Sequence, residues 1–477
     1  MLSALAFLAL GVSVHAIQTY QPLPEPKMYG VNLGNFLVAE PWMMPNEWLT
    51  MGGENCGNCS CIYSEGQLAL KIGQNETDAV FQKHWDTWFT DADTDRIAEA
   101  GLNAVRIPLG WWLVEPLVNR TTEPPFARGG LRVLKARLRY LKKKGIHVVL
   151  DLHAVPGVGH KNQQFAGICT DVVKFYTKEN YEHAIIWGGV MSAISHLDPD
   201  FSSVYSIGTI NEPLNNAAMT PNLGQYYTDY VQVVRAVERA VGVTPPGAAP
   251  SYIVKLQSTA LDAIEAIIYT ETNLGSSARS ALTKVVAVLR EHASQLGLNI
   301  ELRSDARKPL FINFQDIISQ RGPRPNPYDS ADGPATYDNH PYYSFSMETK
   351  NASEAAYMQY LCNFPRVAID ARYNNTPVLF GEWSLSTQWD SEDSATRWKS
   401  LEAAPPSAAF LRKFADAQKY AMSTLGEGWF YWSFKIENGS DKKRSWDYFE
   451  ARKDGFVPQN AKELFDPEVC NSYAGLE

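Results

Sequence analysis

Two glutamates stand where acid–base and nucleophilic chemistry would need them. Glu212 follows the apolar run Val204–Ile210 in the motif Asn-Glu-Pro, and Glu382 follows Val378–Phe380 in the motif Gly-Glu-Trp. One carboxyl group can donate a proton to a leaving group while a second attacks the reacting carbon. That division of labour requires a raised pKa for the acid and a lowered pKa for the nucleophile, and burial and nearby charges can supply both shifts.

Five other side chains with functional chemistry lie near the ends of short apolar runs. They are Arg106, His153, His340, Tyr342 and Trp432. One such arginine alone is usually part of a structural ion pair, and one such histidine is usually a hydrogen-bonded core residue. Because these residues recur at equivalent points of successive runs, we expect them to line one polar rim.

The runs that must position these residues alternate with helical stretches. Eight runs have the length and composition of strands: Tyr29–Leu37, Asn103–Pro108, His147–Leu152, Tyr205–Ile210, Pro309–Phe314, Thr336–Asp338, Val378–Phe380 and Trp429–Phe434. The helical stretches between them include Asp91–Ala100, Leu131–Lys144 and Tyr226–Ala240. This alternation predicts an α/β fold, the (β/α)8 TIM barrel.

In a TIM barrel, the C-terminal ends of the strands form the face on which catalytic residues lie. The fourth and seventh strands face each other across the barrel. They would bring the carboxyl groups of Glu212 and Glu382 to about 5 Å, the separation of retaining glycosidases. We therefore predict Glu212 as the acid/base, with a raised pKa, and Glu382 as the nucleophile, held ionised by Arg106 and Tyr342.

Two further residues would bind the sugar in such a site. Asn211 would hydrogen-bond the 2-hydroxyl, a contact that strengthens toward the transition state, and Trp432 would form a floor for the sugar ring. Because two carboxyl groups suffice for this reaction, we expect no metal ion and no organic cofactor.

The composition is consistent with a neutral carbohydrate partner. The chain has 477 residues and a net charge of −9, which gives no electrostatic footprint for nucleic acid or an anionic membrane. Its 13 Trp and 23 Tyr offer rings on which sugars could stack. We expect a monomer that acts on a polysaccharide or oligosaccharide and has no nucleic-acid or membrane partner.

The N-terminus and the glycosylation motifs predict export. Residues 1–16 form an apolar segment that ends in Val14-His15-Ala16, as a signal peptide does. The asparagines that begin Asn-X-Ser/Thr motifs are Asn58, Asn75, Asn119, Asn351, Asn374 and Asn438. We therefore expect a secreted glycoprotein that is extracellular or associated with the cell wall.

The six cysteines fit an oxidising compartment but are too few for a scaffold built from disulfides. Cys56, Cys59 and Cys61 crowd one short loop, which could suggest a zinc site. Such a site needs further ligands at suitable spacing, and the sequence nearby offers none. We therefore expect disulfides that staple this loop.

Residues 17–477 are expected to form one catalytic domain. Its connection Val241–Arg307 is longer than a usual βα connection and contains an extended Tyr252–Leu256 and a helical Ala278–Leu296. We interpret it as an elaborated insertion after the fourth helix.

Several motifs in order resemble glycoside hydrolase family 5 (clan A), and within it the fungal exo-β-1,3-glucanase group. Residues 30–42 read Gly-Val-Asn-Leu-Gly-Asn-Phe-Leu-Val-Ala-Glu-Pro-Trp, similar to that group's Gly-Val-Asn-Leu-Gly-Gly-Trp-Leu-Val-Leu-Glu-Pro-Trp. The other similar blocks are Val105–Trp112, Asp151–Gly157, Asn211–Pro213 and Gly381–Leu385. The resemblance covers most of residues 29–455 except the insertion.

The resemblance implies roles for individual residues. Glu212 and Glu382 would be acid/base and nucleophile. The residues that surround the sugar being cleaved would be Arg106, His153, Asn211, His340, Tyr342 and Trp432. Glu40 would hydrogen-bond the terminal glucose in a closed pocket with Trp42 beside it, and Phe345 and Phe165 would form an aromatic clamp at the entrance. Cys362 and Cys470 would form a disulfide.

The departures from the family pattern concern specificity rather than reaction type. Gln164-Phe165-Ala166-Gly167 lacks the Asp-Asn pair of the family's Gly-Phe-Asp-Asn-Ser-Gly, and the three-cysteine loop and the insertion are additions. Our first expectation is exo-hydrolysis of β-1,3-glucan to glucose. The alternatives are an endo-acting or β-1,6-preferring glucanase, a glucan transglycosylase and, last, a non-catalytic glucan-binding protein.

Overall fold

The computed structural model describes residues 21–243, 259–301, 307–315, 325–344, 353–364, 370, 372–388, 405–440 and 442–473. Eight parallel strands pair in chain order and close into a barrel, because the last strand pairs back with the first. They are β1 (Met28–Asn32), β2 (Ala104–Gly110), β3 (His147–Ala154), β4 (Val204–Gly208), β5 (Phe311–Gln315), β6 (Ala335–Asp338), β7 (Val378–Trp383) and β8 (Gly428–Tyr431). The predicted (β/α)8 barrel is confirmed.

Helices surround the barrel and bury their apolar faces against it. Those of the described residues are α1 (Pro45–Met51), α2 (Glu65–Ile72), α3 (Gln74–Trp88), α4 (Asp91–Glu99), α5 (Gly130–Lys143), α6 (Lys178–Leu197), α7 (Leu223–Ala240), α8 (Ala260–Thr270), α9 (Ser276–His292), α10 (Glu354–Cys362), α11 (Ala408–Leu425), α12 (Lys443–Trp446) and α13 (Tyr448–Lys453). Helix α5 shows the principle: its leucines are buried, its basic residues face outward, and Gly145 follows it at φ 71°.

The first and last strands are shorter than predicted. Strand β1 ends at Asn32 rather than Leu37, because the chain turns at Asn35, whose φ of 60° is incompatible with an extended strand. Strand β8 ends at Tyr431, and Trp432 is the next residue. In both cases the apolar run continues past the sheet into the segments that border the mouth of the barrel.

The long connection before β5 contains two helices that pack on the outside of the barrel. In α9, Ser280 and Lys284 contact Glu182 of α6 at 2.9 and 2.7 Å, and Gly189 of α6 allows the close approach of Val285. The predicted helix is therefore present, with bounds Ser276–His292, and α8 precedes it. The extended Tyr252–Leu256 lies outside the described residues. This packing favours an insertion within one domain, which stays a prediction.

All six cysteines form disulfides. Cys362 pairs with Cys470, as the resemblance implied, and joins α10 to the C-terminal segment. Cys56 pairs with Cys61 inside the loop, as expected for a local staple. Cys59 is different, because it pairs with Cys169, which is 110 residues away in the chain. The expectation that disulfides staple this loop is confirmed, and the pairing, which the sequence left open, ties the loop to Cys169.

A buried ion network fixes α7 to the beginnings of β5 and β6. Arg235 donates to Glu238 at 2.6 Å and to the carbonyls of Leu310 and Pro334 at 2.9 and 2.7 Å. Glu238 in turn accepts from the backbone N–H of Leu310 at 2.7 Å and contacts His196. Both side chains of the pair are fully buried. Each charge is compensated by the other and by these polar groups.

We therefore expect Arg235→Ala to lower the free energy of unfolding by about 3–5 kcal/mol, because it leaves the Glu238 carboxylate buried without a cation. Denaturant unfolding followed by tryptophan fluorescence measures the change. The matched control is Arg290→Ala, which breaks the exposed pair with Glu265 and should change stability little. An equal loss in both variants would contradict a special role for the buried network.

Candidate active site

The guanidinium of Arg106 lies at the centre of the C-terminal mouth of the barrel, on β2. Its Nη1 donates to Glu382 Oε1 at 2.8 Å and to Asn32 Oδ1 at 3.0 Å. Its Nη2 donates to Asn211 Oδ1 at 2.8 Å and lies 3.0 Å from Asp151 Oδ2. Only 1% of the side chain is exposed. One cation thus orients groups from four other segments of the chain.

Glu382 is a buried carboxylate with both oxygens held. It is part of β7, and only 6% of its side chain is exposed. Oε1 accepts from Arg106, and Oε2 accepts from the hydroxyl of Tyr342 at 2.6 Å. His340 Nδ1 lies 3.5 Å from the same Oε2. These contacts fix the orientation of the carboxylate in the barrel mouth.

Glu212 lies just beyond β4 and is more accessible, with 32% of its side chain exposed. Its φ of 41° is uncommon for a residue other than glycine, and such conformations are often retained for function. Oε1 contacts His340 Nδ1 at 2.8 Å. Ligand atoms of Glu212, His340 and Glu382 all lie within 4.8 Å of one another, so the structure brings the two predicted glutamates together.

His340 reverses the expected order of the two glutamate pKa values. Burial raises the pKa of Glu212, but the hydrogen bond and charge of His340 outweigh it and lower that pKa to about 2. Burial raises the pKa of Glu382, and His340 and Arg106 only partly offset it. The expectation of a raised pKa for Glu212 and a lowered one for Glu382 was therefore wrong, because it left out the cationic His340.

The proton that the site holds is on His340. Burial alone would lower the pKa of this imidazole, but Glu382 and Asp338 raise it to about 10. Asp338 Oδ2 lies 3.5 Å from His340 Nε2, on the opposite side of the ring from the two glutamates. At neutral pH the proton therefore lies in the 2.8 Å contact between His340 and Glu212, one transfer away from the predicted acid.

Aromatic and histidine side chains form one side of the mouth. The ring of His153 stacks on Trp432 with centroids 5.5 Å apart and meets the edge of Phe165 at 5.1 Å. His153 Nδ1 contacts Asp151 at 2.7 Å, while Nε2 is buried without a hydrogen-bond partner among the described residues. The amide Nδ2 of Asn211 is in the same situation. Both nitrogens are available for a ligand in the mouth.

Glu40 is a third carboxyl group at this site. Its Oε2 accepts from the indole N–H of Trp42 at 2.8 Å, while its Oε1 is buried without a partner among the described residues. Burial raises the pKa of Glu40 to about 7, and the charges of His153, Glu382 and Glu212 act on it. Glu40 and Trp42 therefore lie with the other predicted residues. Phe345, predicted as part of an aromatic clamp, lies outside the described residues.

Two acids that support the histidines were not predicted from the sequence. Asp151 and Asp338 precede His153 and His340 by two residues each. Because side chains two residues apart in a strand point to the same face, this spacing was a usable signal for Asp151 and His153, which are both on β3. Asp338 is the last residue of β6, and His340 lies two residues beyond it. Asn32, which accepts a hydrogen bond from Arg106, was also not predicted. It lies within residues 30–42, the first block that resembles the family, and that resemblance was a usable signal.

The same groups are also the obvious place to look for a metal. Within the part of the chain that the structure describes, Glu212, His340 and Glu382 are the one set of three His, Cys, Asp or Glu side chains with converging ligand atoms. Arg106 already neutralises Glu382 at 2.8 Å, and a divalent cation there would face that guanidinium. The donor set fits acid–base chemistry better than metal binding.

Tyr342→Phe should move the acid limb of the pH profile of kcat/KM to higher pH. The Tyr342 hydroxyl stabilises the anionic form of Glu382, so its loss raises the pKa of that carboxyl further. Since the predicted nucleophile must be ionised to attack, activity would then be lost at a higher pH as the pH falls. The profile is measured with an aryl β-glucoside.

The control for this experiment is Tyr140→Phe, which removes a hydroxyl bonded to Asp95 on the outer helices. It should leave the acid limb in place. An unchanged limb in Tyr342→Phe would show that the tyrosine does not govern the ionisation of Glu382.

Known proteins similar to this chain include glycoside hydrolases. The family model described as cellulase (glycosyl hydrolase family 5) matches residues 71–438. The structure of a rutinosidase from Aspergillus niger superposes with a TM-score of 0.55 at 19% identity and covers 90% of this chain and 97% of that one, which is a likeness of fold.

Among curated relatives, the glucan endo-1,6-beta-glucosidase B of Emericella nidulans is 27% identical over 445 residues, or 93% of this chain and 88% of the relative. The glucan 1,3-beta-glucosidase of Blumeria graminis is 29% identical over 231 residues, or 47% and 50% of the two chains. Since the family model covers most of the sequence and the barrel carries the expected carboxyl pair, the chain belongs to glycoside hydrolase family 5.

Proposed function

We propose that this enzyme hydrolyses a β-linked glucan with retention of configuration, with Glu382 as nucleophile and Glu212 as acid/base. The observation that carries the proposal is the spacing of their carboxyl oxygens, within 4.8 Å. Retaining glycosidases have carboxyl groups about 5 Å apart, whereas inverting enzymes need about 6.5–9.5 Å to admit a water molecule. The geometry leaves space for direct attack on the sugar.

The first step cleaves the glycosidic bond. Glu382 Oε2 or Oε1 attacks the anomeric carbon, and the bond from that carbon to the leaving oxygen breaks. Glu212 gives its proton to the leaving oxygen, and the His340 hydrogen bond at 2.8 Å supplies that proton to Glu212. Arg106 and Tyr342 keep the attacking carboxylate oriented until the glycosyl ester forms.

The second step releases the sugar. Glu212, again anionic, accepts a proton from a water molecule, whose oxygen attacks the anomeric carbon and displaces the Glu382 carboxylate. The proton then passes from Glu212 back to His340, which restores the starting charges. Two inversions give net retention, so the first product from a β-glucan is the β-anomer. Asn211 Nδ2 would donate to the 2-hydroxyl, and Trp432 would support the ring in both steps. Glu40 and Phe165 would bind the sugar at its other side.

Substrates with good and poor leaving groups distinguish the roles of the two glutamates. Glu382→Gln should abolish turnover of every β-glucoside, because no ester can form. Glu212→Gln should reduce cleavage of a glucan by about 10²–10⁴-fold but that of a dinitrophenyl β-glucoside far less in its first step, since such a leaving group needs no proton. Steady-state and burst kinetics on both substrates measure this. Equal losses for Glu212→Gln on both would contradict its role as acid.

For linkage, we propose β-1,6-glucan as the preferred substrate. Support comes from coverage: relatives named as endo-1,6-beta-glucosidases align over 93% of this chain, whereas the glucan 1,3-beta-glucosidase of Blumeria graminis aligns over 47%. The missing Asp-Asn pair around Phe165 removes polar groups of the β-1,3-type pattern. Exo-hydrolysis of β-1,3-glucan, our expectation from the sequence, remains the second candidate, supported by the Glu40-Pro41-Trp42 block.

The product profiles of purified enzyme on linear β-1,6-glucan and on laminarin distinguish the two. The proposal predicts a higher kcat/KM on β-1,6-glucan and a ladder of oligosaccharides from the earliest times. Glucose alone, released faster from laminarin, would overturn both linkage and endo mode in favour of the second candidate. Products longer than an oligosaccharide substrate would indicate transglycosylation.

Export is also proposed. The apolar residues 1–16 lie outside the described residues, and the five described sequon asparagines, Asn58, Asn75, Asn119, Asn374 and Asn438, are all exposed. Three disulfides suit an oxidising compartment. Among the described helices, none has the length and apolar character needed to span a bilayer.

A further inference from the structure

Two loops border the mouth of the barrel on the side of Glu40 and Phe165. The first follows β1, comprises Leu33–Trp42 and carries Glu40. The second follows β3, comprises Phe165–Cys169 and carries Phe165, whose ring packs on His153. The residues 59–66, here called the brace, lie between these loops and contact both.

The brace holds the first loop through Glu65. Its Oε2 accepts a hydrogen bond from the backbone N–H of Ala39, the residue before Glu40, at 3.3 Å. Glu65 is 1% exposed, and burial raises its pKa to about 8, so the side chain is neutral at neutral pH. A neutral buried acid that binds backbone next to a ligand-facing residue is well suited to fixing position without adding charge to the site.

The brace holds the second loop by three contacts. The N–H of Gly66 donates to the carbonyl of Gly167 at 2.7 Å, and the N–H of Cys169 donates to Ser64 Oγ at 2.9 Å. Cys59 forms the disulfide with Cys169. A Cβ at residue 66 would lie 2.7 Å from the Gly167 oxygen, so this approach requires glycine.

These contacts join the brace to the loops that carry the sugar-binding residues and not to the strands that carry the catalytic groups. The catalytic groups Arg106, Glu212, His340 and Glu382 are positioned by β2, β4, β6 and β7, whereas these contacts of the brace run to the loops after β1 and β3. The brace includes part of the three-cysteine loop that departs from the family pattern. The brace therefore links this loop to both segments that carry Glu40 and Phe165.

We propose that the brace determines substrate specificity by holding Glu40 and Phe165 at a fixed separation on one side of the sugar-binding site. This inference rests on the proposed function, because it takes Glu40 and Phe165 to contact the glucan. Loss of the brace would leave the catalytic glutamates in place and weaken the binding of the sugar, so KM would rise while kcat changes little. Glu65, Ser64 and Cys59 are positioning residues in this account.

The disulfides of the chain offer a matched test. Cys59–Cys169 and Cys362–Cys470 close loops of 110 and 108 residues, so their removal should cost similar stability by relaxing the unfolded chain to the same degree. Cys59→Ser/Cys169→Ser should raise KM for a β-glucan oligosaccharide about tenfold and leave kcat within about twofold. Cys362→Ser/Cys470→Ser should lower Tm comparably and leave KM unchanged.

Glu65 provides a second test that does not depend on the disulfide. Glu65→Leu keeps the size of the side chain but removes the acceptor for Ala39, and should raise KM as the cysteine variant does. Glu65→Gln keeps an acceptor oxygen and the neutral charge, and should restore the wild-type KM. An unchanged KM in both Cys59→Ser/Cys169→Ser and Glu65→Leu overturns the proposal, as does a parallel fall of kcat and kcat/KM.

The affinity of the same oligosaccharide, measured by calorimetry in a Glu382→Gln background, separates this inference from the proposed function. A weaker affinity in the Cys59→Ser/Cys169→Ser variant, relative to the Cys362→Ser/Cys470→Ser control, supports the brace whatever the turnover. An equal affinity in the two overturns it. A wild-type enzyme that cleaves no β-glucoside overturns the proposed function alone, because the affinity comparison still decides the role of the brace.

Discussion

The site depends on one buried cation, the guanidinium of Arg106. It contacts the carboxylates of Asp151 on β3 and Glu382 on β7 directly and lies 3.7 Å from Asp338 on β6. Burying several carboxylates at the mouth of a barrel would be strongly unfavourable without such a partner. Because the guanidinium is planar and has several donors, it also fixes the direction of each acceptor that it contacts. The barrel supplies a rigid frame, and Arg106 makes it possible to keep a nucleophilic anion inside it.

His340 is a second cation at the site, and it contacts the two glutamates unequally, at 2.8 Å for Glu212 and 3.5 Å for Glu382. It lies between the two carboxyl groups, with Asp338 on its other side. The result is that Glu382 is held by Arg106 and Tyr342, while Glu212 shares a proton with an imidazole and keeps an accessible side chain. An acid that must give a proton and later take one back benefits from such a neighbour. The support continues outward through Asp151 and Asp338, which orient the histidines.

The fold and the place of the two glutamates at the mouth of the barrel were predictable because their signals are local. Apolar runs alternating with helices gave all eight strands, and Glu212 and Glu382 were found because each follows such a run. What the sequence left open or misassigned depends on contacts between distant parts of the chain. The pairing of Cys59 with Cys169 joins residues 110 positions apart. The order of the glutamate pKa values follows from His340, which reaches them only in the folded barrel. The early end of β1 comes from one left-handed residue, Asn35, in an otherwise apolar run.

The central proposal is that Glu382 forms the covalent bond to the sugar. A 2-deoxy-2-fluoro-β-glucoside with a dinitrophenyl leaving group tests this directly. The fluorine slows both formation and breakdown of the glycosyl ester, whereas the good leaving group speeds its formation only. The ester therefore accumulates on the enzyme. Proteolysis and mass spectrometry of the inactivated enzyme then locate the fluoroglucosyl group. We predict that the fluoroglucosyl group lies on Glu382 and that the Glu382→Gln variant carries no such group. A fluoroglucosyl group on Glu212, or on any other residue, would contradict it.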